Sequence, residues 1–216
     1  MIHRAAQATS VTDGLRWPVV VKPNIGGSGA GVKRFDHPTQ LAAAAAEPAG
    51  TPEGLALGMD STALVQEFIP ARGAHIVRVE VLNGRYIYAI KVHITGETFD
   101  LCPADICRTT SGVELNRAAC AIDAPKSGIR VEGYEPPREV IADVERIMQH
   151  AGIEIGGVEY ITDDRDGQRL YYDINALSNF VADGENVIGF DPFAKLADWL
   201  EAEATKAARV PELTHG

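Results

Sequence analysis

The chain has 216 residues and a mass of 23.1 kDa, with 45% hydrophobic and 23% charged residues, a balance that supports a substantial buried core. Its formal charge of −10 and pI near 5.0 exclude a nucleic-acid footprint, which needs clustered Lys and Arg to neutralise phosphates. No apolar run approaches the roughly 20 residues that cross a bilayer, and the N-terminal MIHRAAQATS lacks the apolar centre of a secretory signal, so a cytoplasmic protein without membrane partners is expected.

In chain order, WPVVVK at 17–22 is a β-branched apolar run that predicts a strand ending in Lys22, followed by a glycine-rich stretch and a second short strand, Val32 to Phe35. A helix should begin near Pro38 and run through LAAAAAE until Pro48 stops it. ALVQEFI reads as a strand, and HIVRVEVL and RYIYAIKV read as two more, joined by Asn83-Gly84, a strong signal for a two-residue hairpin. Such a turn pairs Leu82 with Arg85. Val77, Val79, Val81, Tyr86, Tyr88 and Ile90 then share a core face, and Ile76, Arg78, Glu80, Ile87, Ala89, Lys91 and His93 share the other.

Residues 94–135 show no sustained period, and irregular structure is expected there. Cys102, Cys107 and Cys120 form no CxxC pair and read as reduced thiols rather than a disulfide or zinc framework. PPREVIADVERIMQHAG predicts an amphipathic helix stopped by Gly152, and IEIGGVEYIT with QRLYYDIN predicts a hairpin turning at Asp166-Gly167. A last helix opens at Asp191-Pro192 and carries Phe193, Leu196, Trp199 and Leu200.

The stretch GGSGAG, with Gly26, Gly27, Ser28, Gly29 and Gly31, fails two phosphate motifs. A P-loop needs Lys where Val32 stands, and a dinucleotide fingerprint needs different glycine intervals and a following helix, whereas GVKRF alternates like a strand. A glycine hairpin whose backbone N–H groups close over an anion, beside Lys22, remains. So does a plain glycine-rich surface turn.

Near the C-terminus, Glu159 lies on one strand of the second hairpin and Asp173 and Asn175 on the other. A two-residue turn would pair Glu159 with Ile174, but a three-residue loop Arg165-Asp166-Gly167 would pair it with Asp173 and bring Asn175 to the same face. Two carboxylates and an amide oxygen are hard ligands suited to Mg²⁺. An acidic edge strand is the alternative, with Asp163, Asp164 and Asp166 explained as turn residues.

Taken in order, the strand ending in Lys22, the glycine hairpin, QEFI, a hairpin carrying arginine, a helix, GGVEYI and DIN resemble the ATP-grasp superfamily, in its glutathione synthetase-like and α-L-glutamate-ligase-like branch, over about residues 14–205. The resemblance implies an α+β fold of two lobes with mostly antiparallel sheets and an ATP cleft between them. Residues 1–70 would form a truncated N-terminal lobe and 71–216 the C-terminal lobe with the metal hairpin. By the same resemblance Lys22 contacts the ATP phosphates and the adenine edge, and the flexible loop with Gly26, Gly27, Ser28, Gly29 and Gly31 closes over the phosphates. The backbone of Gln66, Glu67, Phe68 and Ile69 meets the adenine edge. Arg78 steadies the transferred phosphate and the acyl-phosphate intermediate, and Glu159, Asp173 and Asn175 hold Mg²⁺, with two ions expected and Mn²⁺ as a substitute. Lys91 is added as a catalytic candidate because the face assignment points it the same way as Arg78, off the core.

The implied activity is ATP- and Mg²⁺-dependent carboxylate–amine ligation through an acyl phosphate, on small-molecule or peptide carboxylates and amines. A non-catalytic ATP-binding module, or a fragment that needs a missing N-terminal domain or a homo-oligomeric partner, is the alternative, and a kinase built on the same lobe is a third reading. Phe99 to Cys107 and SNFVADGEN are the expected substrate-proximal loops.

Overall fold

A computed structural model describes residues 1–25, 30–94, 130–176, 180–181 and 183–208. The predicted loop residues Gly26, Gly27, Ser28 and Gly29, the segment Phe99 to Cys107 and all three cysteines lie outside the described residues. The chain divides into two units. Among the described residues, Met1–Pro70 belongs to the first, and Ala71–His93 with the residues from Arg130 onward to the second.

In the first unit, strand β1 (Val19–Pro23) lies between β2 (Lys33–Phe35) and β3 (Ala63–Glu67), antiparallel to both. Alternation along β1 sends Val19 and Val21 into a core with Ile2, Ala8, Phe35, Leu41, Leu55 and Ala63. Leu41 and Ala44 are the buried residues of α1 (Pro38–Ala46), which starts at a proline as the sequence predicts and ends before Glu47. A 3₁₀ turn over Ala5–Val11, not foreseen from the sequence, supplies Ala8 to this core. Ile2 bridges Ala63 through two backbone hydrogen bonds of 2.8 and 2.9 Å.

The second unit is built on a five-stranded antiparallel sheet in the order β6-β5-β4-β7-β8: β4 (His75–Leu82), β5 (Arg85–His93), β6 (Val131–Tyr134), β7 (Ile155–Thr162) and β8 (Arg169–Asn175). Strand β6 falls within the stretch expected to be irregular. Helix α2 (Arg138–Ala151), ended by Gly152, packs one face through Val140, Val144 and Met148, which meet Val77, Val79, Val81, Ala89, Val158 and Tyr160. Beyond β8 come the short helix α3 (Gly184–Ile188) and α4 (Pro192–Ala208), whose Asp191 carboxylate accepts the Phe193 N–H at 2.8 Å. Among the described residues, no helix is long and apolar enough to cross a membrane.

Two bulges decide which side chains share a face. Asn83 and Gly84 form the predicted turn with φ of 54° and 65°, and Leu82 pairs with Arg85. One step further, Val81 pairs with Tyr86 but Glu80 with Tyr88, so Ile87 is an extra residue on β5. Every later side chain of β5 is thereby exchanged between faces. Tyr88 and Ile90 join the face of Arg78 and Glu80, whereas Ala89, Lys91 and His93 join the face of Val77 and Val79. This corrects the expectation that Lys91 and Arg78 point the same way.

The second bulge lies on β8. The four residues 164–167 form the loop, closed by hydrogen bonds from Asp163 N–H to the Gln168 carbonyl and from Gly167 N–H to the Asp163 carbonyl, each 2.8 Å. That loop is one residue longer than the longer of the two loops the sequence offers. Thr162 pairs with Arg169 and Tyr160 with Tyr171, but Glu159 pairs with Asp173, so Tyr172 is the extra residue. Asp163 is wholly buried and accepts from both the backbone N–H and the guanidinium of Arg165, which fixes the loop from within.

Candidate active site

The sheet face turned away from α2 gathers charged groups from three neighbouring strands. The register places Arg78 opposite Glu159, Glu159 opposite Asp173, and both Glu80 and Asn175 opposite Gly157, so all five side chains lie on one face. Arg78 Nε donates to Glu80 Oε1 at 2.5 Å, and Arg78 Nη1 lies 3.8 Å from Glu159 Oε1. Tyr172 Oη donates to Glu159 Oε2 at 2.6 Å, and the Asn175 amide nitrogen donates to Asp173 Oδ2 at 3.3 Å. Glu80, Tyr172 and Tyr88 are members of this face that no sequence motif marks. The alternation of RVE at 78–80 does place Glu80 beside Arg78, but nothing in the sequence marks the bulge that aims Tyr172 at Glu159.

Burial sets the electrostatics. Desolvation alone would lower the Arg78 pKa, but Glu80 and then Glu159 outweigh it and hold the guanidinium charged. Glu159 is shifted the other way. Burial raises its pKa more than Arg78 and the Tyr172 hydroxyl lower it, while Asp173 and Glu80 add repulsion. The geometry explains the asymmetry, because the short contact of Arg78 goes to Glu80 and Glu159 stands more than an ångström farther off. Three carboxylates face one guanidinium, and the face carries a net charge of 1 − 3 = −2 when all are ionised.

The donor chemistry fits a hard divalent cation: Glu159 and Asp173 offer carboxylate oxygens and Asn175 an amide oxygen, beside excess negative charge. Among the described residues, no group of three or more His, Cys, Asp or Glu has metal-binding spacing, so the set stands as two carboxylates and an amide. It fits an anion as well. Arg78 Nη2 is buried and has no hydrogen-bond partner among the described residues, a donor whose cost an anionic oxygen would remove.

Lys91 belongs elsewhere. Its ammonium lies 3.5 Å from Glu132 Oε1 and 4.7 Å from the Tyr134 ring centre, on the face of Ala89.

In the first unit, Lys22 pairs with Leu64, and Val20 pairs with both Arg34 and Gln66. Lys22, Arg34, Leu64 and Gln66 therefore share the sheet face opposite the Val19 and Val21 core. The Glu67 carboxylate accepts from Arg16 N–H at 3.0 Å and from Arg16 Nε at 2.8 Å, and the Phe68 N–H donates to the Pro18 carbonyl at 2.9 Å. The Phe68 ring lies under the Arg34 guanidinium at 4.3 Å. Ile69 follows β3 and is partly buried. Lys33, one residue late for a P-loop, donates to the carbonyls of Pro52 and Gly54.

No protein-family model matches this chain, and no curated protein matches it by sequence. Solved structures do. The ATP-grasp ligase PsnB complexed with a minimal precursor is similar at a TM-score of 0.56 and 18% identity, over 94% of this chain and 53% of that one. PsnB complexed with a phosphomimetic precursor variant, Mg and ADP matches at 0.55 and 18%, over 93% and 51%. The D-alanine–D-alanine ligase of Bacillus anthracis matches at 0.50 and 17%, over 89% and 52%. The chain thus has the α+β, antiparallel architecture of part of the ATP-grasp fold, and it spans about half the length of the structures it matches.

Proposed function

We propose that this chain carries the nucleotide- and metal-binding parts of an ATP- and Mg²⁺-dependent carboxylate–amine ligase. The observation that carries the reading is the Arg78 face: a fixed guanidinium with one buried, unpartnered nitrogen, next to two carboxylates and an amide in register. The fold it shares with ATP-grasp ligases supports it.

Arg78 is the group that steadies the transferred phosphate, held ready by Glu80 so that no reorganisation is needed as charge develops. Glu159, Asp173 and Asn175 would hold Mg²⁺, which supplies neutralisation of the charge between nucleotide and acceptor. Lys22 and the loop from Gly26 to Gly31 serve the ATP phosphates. The backbone of Gln66 to Ile69 serves the adenine edge, through groups other than the Phe68 N–H, which Pro18 already engages.

In the proposed reaction a carboxylate oxygen forms a bond to the γ-phosphorus as the bond to ADP breaks. An amine then attacks the acyl carbon, phosphate departs, and the amine nitrogen loses a proton. Lys91, tied to Glu132 on the other face, has no part in this scheme. A peptide carboxylate is the acceptor class we favour, since the PsnB structures contain precursor. A second reading, an ATP-binding module working with a further domain or partner, is favoured by the half-length match to those ligases.

Calorimetry of ATP binding with and without Mg²⁺ tests the nucleotide reading, on wild type, Lys22→Ala and Asp173→Ala. Loss of affinity of about tenfold or more is expected in each variant, as for removal of a charged partner of a phosphate or metal. Equal affinity in all three would overturn it. Release of phosphate on addition of carboxylate and amine separates the ligase from the module.

A further inference from the structure

The Tyr172 hydroxyl reaches the same carboxylate that the proposed function gives to the metal. We propose that Tyr172 is a positioning residue that makes the site selective for Mg²⁺ over Ca²⁺ by occupying one oxygen of Glu159. The inference deepens the metal reading above and depends on it.

The geometry begins with the bulge. In a bulged pair two residues face one, and here Tyr172 and Asp173 both lie against Glu159. Asp173 contributes a carboxylate and Tyr172 contributes a hydroxyl that donates to Oε2 at 2.6 Å. The other oxygen, Oε1, lies 3.8 Å from Arg78 Nη1, beyond hydrogen-bond reach. One oxygen of Glu159 is committed and the other keeps its lone pairs. The amide nitrogen of Asn175 is likewise the atom engaged with Asp173, which leaves the amide oxygen as that residue's donor to a cation.

Each protein ligand is thus limited in what it can give. A phenol on one oxygen of a glutamate takes one of that oxygen's two lone pairs and so favours monodentate over bidentate binding by the carboxylate. Mg²⁺ is small, takes six ligands in near-octahedral order and draws several of them from water and phosphate, so monodentate carboxylates suit it. Ca²⁺ takes six to eight oxygens and gains from bidentate carboxylates. A hydroxyl that withholds Oε2 costs Ca²⁺ a ligand and costs Mg²⁺ little. It also orients the carboxylate, as groups behind a metal ligand generally do.

The test is titration of wild type and Tyr172→Phe with MgCl₂ and with CaCl₂ separately, each metal alone, by calorimetry. The ratio of Mg²⁺ to Ca²⁺ affinity should fall about tenfold in the variant, the lower end of the range for groups that orient a metal ligand. An unchanged ratio in folded Tyr172→Phe would overturn this proposal alone. Absence of divalent-ion binding by wild type would overturn the metal reading and this proposal with it.

A measurement on wild type covers a variant that fails to fold. The hydrogen-bonded Tyr172 hydroxyl proton should give a resonance in NMR spectra that persists when Mg²⁺ is added, because the bond to Glu159 is kept in the loaded site. Its disappearance on Mg²⁺ addition would show the phenol displaced, and the proposal would be wrong.

Discussion

Gly157 lies beneath the Glu80 carboxylate, so close that a methyl group on its Cα would come within 3.0 Å of Cδ and both carboxylate oxygens. The neighbouring Gly156 is constrained more tightly, where a methyl would meet Met148 of α2 at 2.9 Å and the Asn175 carbonyl at 2.2 Å. The Gly-Gly pair of GGVEY lets one strand approach both its helix and its charged face.

Gly157→Ala should therefore act on Arg78 at a distance. Glu80 is wholly buried and bonded to Arg78, so it cannot swing out, and relief of the overlap must lengthen the Arg78–Glu80 contact. Overpacking of this kind costs about 1–3 kcal/mol. Urea denaturation should show that loss, and ATP affinity should fall with it. An Ala variant as stable as wild type would mean the carboxylate is not held where the contact places it.

Glu159 gives a pH dependence of definite sign. Its folded pKa lies above the ordinary value of about 4.5, chiefly through burial, so between those two values the folded state binds more protons than the unfolded one. Its contribution to stability is present at low pH and is lost as pH rises through that window. Other acids shift oppositely: Glu132 and Glu139 are held below their ordinary values, and their stabilisation is lost on acidification. The difference between wild type and Glu159→Gln isolates the one group. Measured by urea denaturation in metal chelator, it should move in favour of the variant as pH is raised from about 4.5. A difference that does not change with pH, or moves the other way, would show that Arg78 compensates Glu159 fully.

Much of this architecture is legible in the sequence where a local rule acts alone. Asn83-Gly84, Pro38, Gly152 and Asp191-Pro192 each fix a turn, start or stop through backbone chemistry of their own, and the elements fall there. The faces are less legible, because they depend on register. One unpaired residue at Ile87 moves Lys91 across the sheet, and one at Tyr172, combined with a loop one residue longer, restores the pairing of Glu159 with Asp173. Bulges answer to packing and to the partner strand, neither of which a single strand's alternation encodes. Glu80 illustrates the same limit. Its position beside Arg78 follows from the strand period, but its burial depends on Gly157 of a strand far along the chain.

Lys33 lies close to the glycine stretch in sequence but is anchored by the scaffold. The Lys33 ammonium donates to the carbonyls of Pro52 and Gly54 and so ties β2 to the loop before β3. Lys33→Met should cost about 1.5–3 kcal/mol for these charge-assisted bonds and leave ATP affinity within about twofold of wild type. Thermal unfolding and calorimetry together check both halves. A large loss of ATP affinity at unchanged stability would move Lys33 from the scaffold into the proposed nucleotide site.

Tyr88 tests the first bulge directly. With Ile87 unpaired, Tyr88 leaves the α2 side and joins the Arg78 face, where its hydroxyl accepts the Val181 N–H at 3.0 Å and its ring stands 6.2 Å from Phe180 and 6.0 Å from Phe190. Burial, with Glu80 adding to it, drives the phenol pKa well up, so the hydroxyl stays neutral across the accessible pH range. Tyr88→Phe keeps the ring and removes the acceptor, and a buried N–H left without a partner costs about 1–3 kcal/mol. The Val181 amide should then exchange with solvent faster, by more than the change in global stability accounts for. Uninterrupted alternation would instead put Tyr88 against the apolar surface of α2, where loss of the hydroxyl would be neutral or stabilising. Equal or greater stability of Tyr88→Phe, with Val181 exchange unaltered, would restore that register and return Lys91 to the face of Arg78.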